Sequence, residues 1–585
     1  MRQYILLAIC FVALGVAPIH ANDTALIKEL SAEDAKRLAQ DKSGRLFLNG
    51  LPILSSDAAR ELARYEGWLS LNGLTSLSNE VAEALGQHKG FLHLDGLTKM
   101  SDEAAKALAR HNGELSLNGL TSLSDEAARA LGKHTGGRLY LKGVKSLSTE
   151  AGKALAQRKG GGPSNKVFLD GVESLTAQAA EAFAESHGHS WDGRLPAMKT
   201  IPEDVAKALA KRQGGLSLEG LTSLSDESAK AVGGKLGGNL PRLTSLTVES
   251  AKAIVGSNRT LVLDGFTVLP EDVAAVIGGK NSSGDLHLNG LTTLTPVVAK
   301  EISQRNGDLH LNGLTTISND TLKALAENKA GGNSRAVVYL KGLTAISDEG
   351  AAILASWPKW CGELPVLTTL SEKSALALAS SRKWNGNLPS IKTIAPEVAK
   401  ALAQRQGNLS LDGLTTLSDE AAKEFAKRQG DTLSLNGLKD LSDNAAAAFA
   451  QHDGRLSLNG LTTLSNGAVA SLGNHKGDWL FLDGLTTISE DGAKSLARHA
   501  GIVSMKGLNK VTDASLKSLK ANPRIVLAEK LRAVEASIPA KADAKFISAF
   551  LETNCMSCHN GKRTEGDFTM DKLAFDSIAG RVAYA

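Results

Sequence analysis

The sequence predicts an α/β repeat solenoid of short parallel strands and short helices, about twenty repeats long, followed by a small C-terminal segment of different character. Three observations lead there. Gly50, Gly73, Gly96 and Gly119 recur every 23 residues inside near-copies such as LSLNGLTSLSDEAARALGKHTGG from Leu115. Within each copy the apolar spacing changes from the period of two of a strand to the period of a helix. Aromatic residues make up only 4% of the 585-residue chain, which suits many thin layers of Leu and Ala better than one large conventional core.

The elements follow in chain order. Residues 1–21 have a basic start at Arg2, an apolar run from Ile5 to Val16 and Ala21 before a cut, the pattern of a secretory signal peptide. The run is too short for a confident membrane span, and Ile9 before Cys10 is bulky where lipoprotein processing wants a small residue. The mature chain is therefore expected to be exported, periplasmic or at the cell surface, with no transmembrane segment. Residues 22–44 read as an N-terminal cap, with KELSAEDAKRLA from Lys28 as a lone helix half.

Residues 45–521 form the solenoid. In one repeat Leu115 and Leu117 alternate with Ser116 and Asn118 as a strand with one buried face, and Gly119 supplies turn backbone that other residues resist. Ser124 then N-caps a helix, Asp125 and Glu126 place negative charge in its first turn, and Leu123 can staple against Ala128. Ala127, Ala130 and Leu131 give the apolar stripe, and Gly136 or Gly137 the exit. Stacking covers what one unit cannot bury alone. Four copies carry a proline version at Pro196, Pro241, Pro365 and Pro389, three of them as W-x-G-x-L-P, where Trp191, Trp360 and Trp384 are expected to fill the place of a missing strand leucine. Pro523 ends the array, and 522–545 reads as a cap and linker.

From Leu46 to Leu508 the repeats resemble a bacterial leucine-rich-repeat array. The L-x-L strand and the period match that family, which implies parallel strands and a protein-binding sheet face. The family's asparagine, three places after the second strand leucine, is replaced here, for example by Leu51. The family's asparagine ladder therefore does not carry over from that position, and Asn49, Asn72 and Asn118, which fall earlier, before the glycine, read as turn residues.

The strongest chemical motif lies near the other end. Cys555-Met556-Ser557-Cys558-His559 is the C-x-x-C-H by which c-type haem is attached, two thiols forming thioethers and the adjacent imidazole ligating iron. Scattering 4 Cys and 13 His at random over the chain gives on the order of 0.0006 matches. The competing readings are a Cys555–Cys558 disulfide or half of a zinc site, and zinc needs four ligands. Cys10 lies in the leader and Cys361 far upstream, so neither completes that set. Phe546 to Leu573 is similar to the haem segment of planctomycete-type cytochrome c domains, which implies one covalent haem c, a small mostly α fold over residues 546–585 and electron transfer to a redox partner protein. That family's distal methionine falls in a later Met-Pro stretch that this sequence lacks. Met570, eleven residues beyond His559, is a weak substitute, and the 26 residues after His559 read as an incomplete haem domain.

The remaining composition excludes more than it assigns. A net charge of +4 without long runs of one sign argues against nucleic acid or an anionic membrane as partner. There is no G-x-S-x-G, no phosphate-binding glycine loop and no H-E-x-x-H. His88, His111, His134, His452, His475 and His499 sit at helix ends, where charge complementarity with the helix dipole accounts for them. His93, His287 and His310 fall at outward strand positions in what read as distant repeats, and lone Cys361 reads as an inert thiol. The outward residues Ser70, His93, Ser116, Tyr140 and Phe168, beside Asn72, Asp95, Asn118, Lys142 and Asp170, are expected to line an exposed face for a protein partner. The expected function is an exported single-electron carrier on a long solenoid without substrate turnover. The alternatives are a repeat scaffold without functional haem, or a haem sensor or enzyme with an open iron site.

Overall fold

The computed structural model describes residues 27–41, 44–158, 165–186, 190–256, 260–279, 282–327, 336–429 and 431–532. Contacts divide the chain into a unit ending at Val526 and a second from Leu527 to Ala585. Of the second unit only 527–532 are described, with the helix Glu529–Arg532. The signal-peptide reading of 1–21 and the haem reading of 546–585 both lie outside the described residues.

The first unit repeats one motif: a parallel strand of two to four residues, a tight turn, and a helix of seven to nine residues that packs against the helices before and after it. One sheet of six strands runs from Arg45–Phe47 to Val167–Phe168, a second of four from Leu261–Val262 to Val338–Tyr339, and a third starts at Leu409–Ser410. Register places leucine on leucine, Leu46, Leu69, Leu92, Leu115 and Leu139 in one row. Leu115, Leu117, Leu120 and Leu131 are fully buried. The α/β repeat solenoid expected from the periodicity is present.

Each repeat forms locally for the reasons its letters give. The helix Asp125–Leu131 is N-capped by Ser124, whose Oγ accepts from the N–H of Ala127 at 3.0 Å. The same hydroxyl donates to a carboxylate oxygen of Asp102, the first helical residue of the preceding repeat. Ser101 does this to Asn79 at 2.8 Å, Ser347 to Asn319 at 2.6 Å and Ser489 to Asn466 at 2.7 Å. A hydroxyl that both accepts and donates thus caps its own helix and ties it to its neighbour. Hydroxyls of Ser250 and Thr247 likewise hold the Asp226 carboxyl below the usual carboxylate range. Gly119 corrects one expectation. It is not among the positive-φ glycines; a Cβ there would run into the carbonyl oxygen of Asp95, so close approach between layers requires it.

The asparagines Asn49, Asn72 and Asn118 lie in turns, as expected, but have a second role that was not. Asn49 Oδ1 accepts the N–H of Asn72 at 3.0 Å, Asn72 that of Asp95 at 2.9 Å, Asp95 that of Asn118 at 2.8 Å, and Asn118 that of Lys142 at 3.1 Å. A second run links Asp264, Asn289, Asn312 and Lys341, and a third Asp412, Asn436, Asn459, Asp483 and Lys506. These residues therefore build an inter-repeat ladder, from the position before the glycine. The turn directs the side chain along the stacking axis, which spacing counted within one repeat does not reveal.

Each run stops where the acceptor or donor is missing. Lysine ends all three. Next to the first run, Asp170 faces the repeat of Pro196, which has no N–H to offer, and its Oδ1 is buried without a partner while Oδ2 pairs with Lys142 at 3.0 Å. Across the proline repeats pairing continues as single parallel bridges, including Val167 with Trp191 and Val338 with Trp360. Trp191, Trp360 and Trp384 are buried, and the bridges place the first two in the row of the first strand leucine, as expected. Two extra residues then precede the next leucine, and Gly193, Gly238, Gly362 and Gly386 absorb them at φ near +80°.

Magnitudes separate the roles. A buried leucine contributes about 1.5–3 kcal/mol, whereas a made hydrogen bond nets about 0.5–1.5 kcal/mol. The leucine rows supply stability; the ladder fixes register. Asn436 accepts from both Asn459 N–H and Ser457 Oγ, each at 2.8 Å. Replacing it with Ala is expected to cost about 1–3 kcal/mol in denaturant unfolding by orphaning both donors. Asp170→Ala, in the layer beyond the first run and with its Oδ1 unpartnered, is expected to be neutral or stabilising in the same measurement.

Candidate functional site

The outward sheet face is built from three positions per repeat: the residue before the first strand leucine, the one between the two leucines, and the ladder residue. The middle row departs from expectation. Ser70 and Ser116 are only 2% and 1% exposed. Ser70 Oγ donates to Asn49 at 2.7 Å and Ser116 Oγ to Asp95 at 2.6 Å, so these serines serve the ladder and lie beneath larger neighbours. Where the middle residue is a ring, stacking replaces that bond. Tyr140 stacks on Phe168 with centroids 4.7 Å apart, Lys142 lies 5.8 Å from the first ring and 5.9 Å from the second, and Tyr140 Oη donates to Glu114 at 3.0 Å.

At the start of the first sheet Trp68 lies 4.8 Å from the ring of His93 and 5.4 Å from Phe91, with the Arg45 guanidinium 5.2 Å from its centroid. Arg45, Trp68 and Phe91 belong to the row before the first strand leucine and were not part of the expected face. Their signal was available, since each directly precedes a strand leucine. In the second sheet His287 and His310 occupy adjacent strands, paired in register, with rings 4.0 Å apart, and Tyr339 stacks 4.4 Å beyond. This corrects the reading of these histidines as distant. Burial and the charge of His287 lower the His310 pKa. Cys361 is half-buried beside this row, and burial raises its thiol pKa, as an inert thiol requires.

A second polar feature runs through the interior at the helix C-termini. His88, His111 and His134 stack with centroids 5.6 and 6.0 Å apart, and His475 and His499 are 5.6 Å apart with His452 at 6.0 Å from His475. All six are at most 2% exposed. His88 Nδ1 lies 3.3 Å from His111 Nε2, an exchange that needs one ring as acceptor. Burial, with the neighbouring positive charge of His111, pushes His88 down to about 4; burial pushes His111 to about 4 and, with Arg158, His134 to about 3. His475 is likewise pushed to about 3. These rings are neutral at pH 7, so they do not act as cations on the helix dipole. They fill a buried column and bond backbone carbonyls, as His134 Nε2 does to Gly113 O at 3.0 Å.

In other layers arginine takes the same place and bonds carbonyls of the layer before. Arg158 donates to Gly137 O at 2.7 Å, Arg305 to Gly284 O at 2.7 Å and Arg405 to Trp384 O at 2.7 Å. Arg212 and Arg405 also lie 5.0 and 4.7 Å over the rings of Trp191 and Trp384. These arginines close the glycine loops between helix and strand.

No protein-family model matches the chain, and no curated protein matches it. Among solved structures it is similar to a leucine-rich-repeat protein of Leptospira interrogans, at 18% identity over 86% of this chain and 98% of that one, with a TM-score of 0.24. The fold described here rests on the strand register itself. Cys555, Cys558, His559 and Met570 fall outside the described residues. Among the described residues no three His, Cys, Asp or Glu side chains are grouped to hold a metal ion, and no helix is long and apolar enough to cross a membrane. The outward face offers ring edges, amides and fixed charges, the chemistry of contact.

Neutral buried histidine has a pH consequence with a definite sign. Unfolded histidine takes up protons near pH 6.5, the folded rings only near 4 or 3. Between those values the unfolded chain binds more protons, so stability falls as pH drops from about 6.5 toward 4 and is fully present above it. Thermal unfolding followed from pH 7.5 to 4 is expected to show this decline, and His111→Asn to reduce its slope.

Proposed function

We propose that this chain is an exported c-type haem protein whose repeat solenoid carries a C-terminal haem segment and offers its outward sheet face to a protein partner. The observation that carries the haem reading is the spacing Cys555-x-x-Cys558-His559. Two thiols three residues apart suit the two thioether bonds, and the adjacent imidazole suits the iron's axial position. The motif lies outside the described residues, so its fit rests on this donor set and spacing. Cys555 and Cys558 would hold the haem and His559 would ligate its iron, with Met570 as a weak second ligand. The bound group would supply one-electron transfer, its potential set by axial ligation and burial. An export signal in residues 1–21 is consistent with haem attachment outside the cytoplasm.

The solenoid contributes rigidity and surface. Tyr140, Phe168, His287, His310 and Tyr339, flanked by Lys142, Asp170, Asp308 and Lys341, give the face the rings and charges that a protein partner engages. A second reading, a scaffold without haem, is favoured by the serines Ser70 and Ser116, which face inward to the ladder and leave stretches of the sheet with few anchors.

The chain produced with its leader in a host that matures c-type haem separates the two. A covalent haem, seen in the intact mass and as a c-type pyridine haemochrome, and absent from Cys558→Ala, is expected. Exported, folded protein without haem would leave the scaffold reading.

A further inference from the structure

In the buried column at the helix C-termini Arg158 and Arg212 each leave one nitrogen unpaired, but one layer is far less balanced. Arg428 is 1% exposed, yet its Nε, Nη1 and Nη2 are buried and have no hydrogen-bond partner. Other arginines of this column reach the carbonyl of the residue 21 positions earlier: Arg158 to Gly137, Arg212 to Trp191, Arg305 to Gly284 and Arg405 to Trp384. For Arg428 that residue is Gly407, and the bond is not made.

The neighbours explain why. Arg405 lies one repeat earlier, 8% exposed, with all three of its nitrogens already committed, to Asn408 O at 2.9 Å, Ser381 O at 3.3 Å and Trp384 O at 2.7 Å. Its positive charge acts directly on Arg428. Arg158 follows neutral His134, and Arg212 and Arg405 lie over tryptophan rings. Among the described residues Arg428 is the only arginine of the column preceded by another guanidinium. On the other side stands His452, fully buried, its ring nitrogens outside hydrogen-bond geometry although the Ala426 and Arg428 carbonyls act on it, and its proton affinity lowered first by burial and then by Arg428. The carboxylates that act here, Asp431 on Arg428 and Asp453 on His452, do so only at a distance, with no ion pair to either. Two guanidinium charges in adjacent buried layers, with all three nitrogens of Arg428 unsatisfied, are strongly unfavourable unless a negative charge joins them.

We propose that Arg428 and His452, beside Arg405, form an internal binding site for a small monovalent anion, chloride under ordinary conditions. The guanidinium N–H groups of Arg428 donate to it, one N–H of His452 completes its shell, and its charge offsets the second arginine. The site lies within the solenoid and does not depend on the haem reading.

The test is thermal unfolding of the full chain in sodium chloride and in sodium gluconate at equal ionic strength. A saturable rise in Tm with chloride is expected for the native chain, because a ligand bound only by the folded state stabilises it by mass action. Arg428→His is the informative variant, since His452, His475 and His499 show that this column accepts histidine. It is expected to fold and to lose the chloride dependence. A bromide-soaked crystal is expected to show an anomalous peak within hydrogen-bond distance of the Arg428 guanidinium. Equal Tm in the two salts, the same chloride dependence in Arg428→His, or ordered water alone at the guanidinium would each overturn the assignment.

Discussion

The structure depends on the fate of one backbone N–H per repeat, that of the residue just before the turn glycine. The strand is too short to bring that group into a conventional sheet pairing, and the tight approach enforced by glycines such as Gly119 leaves little room for water. A side-chain oxygen from the preceding repeat supplies the acceptor, at 2.8 to 3.1 Å along each run. Because an unmade bond of this kind costs more than a made one gains, the ladder acts chiefly against slipped register. A shift by one residue would orphan the row. Proline removes the demand within its own layer by removing the N–H, which is why a ladder side chain facing one, such as Asp170, has nothing to accept.

The helix side of the layers meets the same requirement by other means. Cap hydroxyls link many helix starts to the one before, and the buried His and Arg column ties helix ends to glycine loops. Neutral imidazole is well suited to a stacked interior: it packs as a flat ring, gives one donor and one acceptor, and avoids the desolvation cost of charge. Arginine adds reach, but its charge cannot be removed, so it is stable only where carbonyl oxygens or an aromatic face receive it. The layer of Arg428 departs from that rule and is therefore the informative one.

These internal requirements limit what remains for function. On the outward face serine belongs to the ladder, while rings stack along the axis and present their edges. The face is consequently uneven, with aromatic and charged groups near Trp68, Tyr140 and His310 separated by stretches of small residues. A partner that engages several separated anchors fits such a surface better than one that needs a single deep pocket. The proposed redox role rests on a different part of the chain, the C-x-x-C-H near its end.

The sequence by itself determined the solenoid, its 23-residue layer, the strand leucines, the serine caps and the tryptophan replacements, because each follows from a period or from a residue's local backbone preference. It also carries the C-x-x-C-H on which the proposed haem role rests, a motif that is local by nature. What only the tertiary structure decided lies between repeats. Asn49 and Asn72 are turn residues, as their spacing says, but their ladder role shows only when the next layer places an N–H above them. His88 and His111 look like dipole-compensating cations until stacking buries them and removes their charge. His287 and His310 look unrelated until register sets them face to face. Ser70 looks exposed until its hydroxyl is found bonded to the layer before. In each case the deciding partner is one period away in sequence and one strand spacing away in space, and spacing within a single repeat carries no information about which way a side chain turns along the stacking axis.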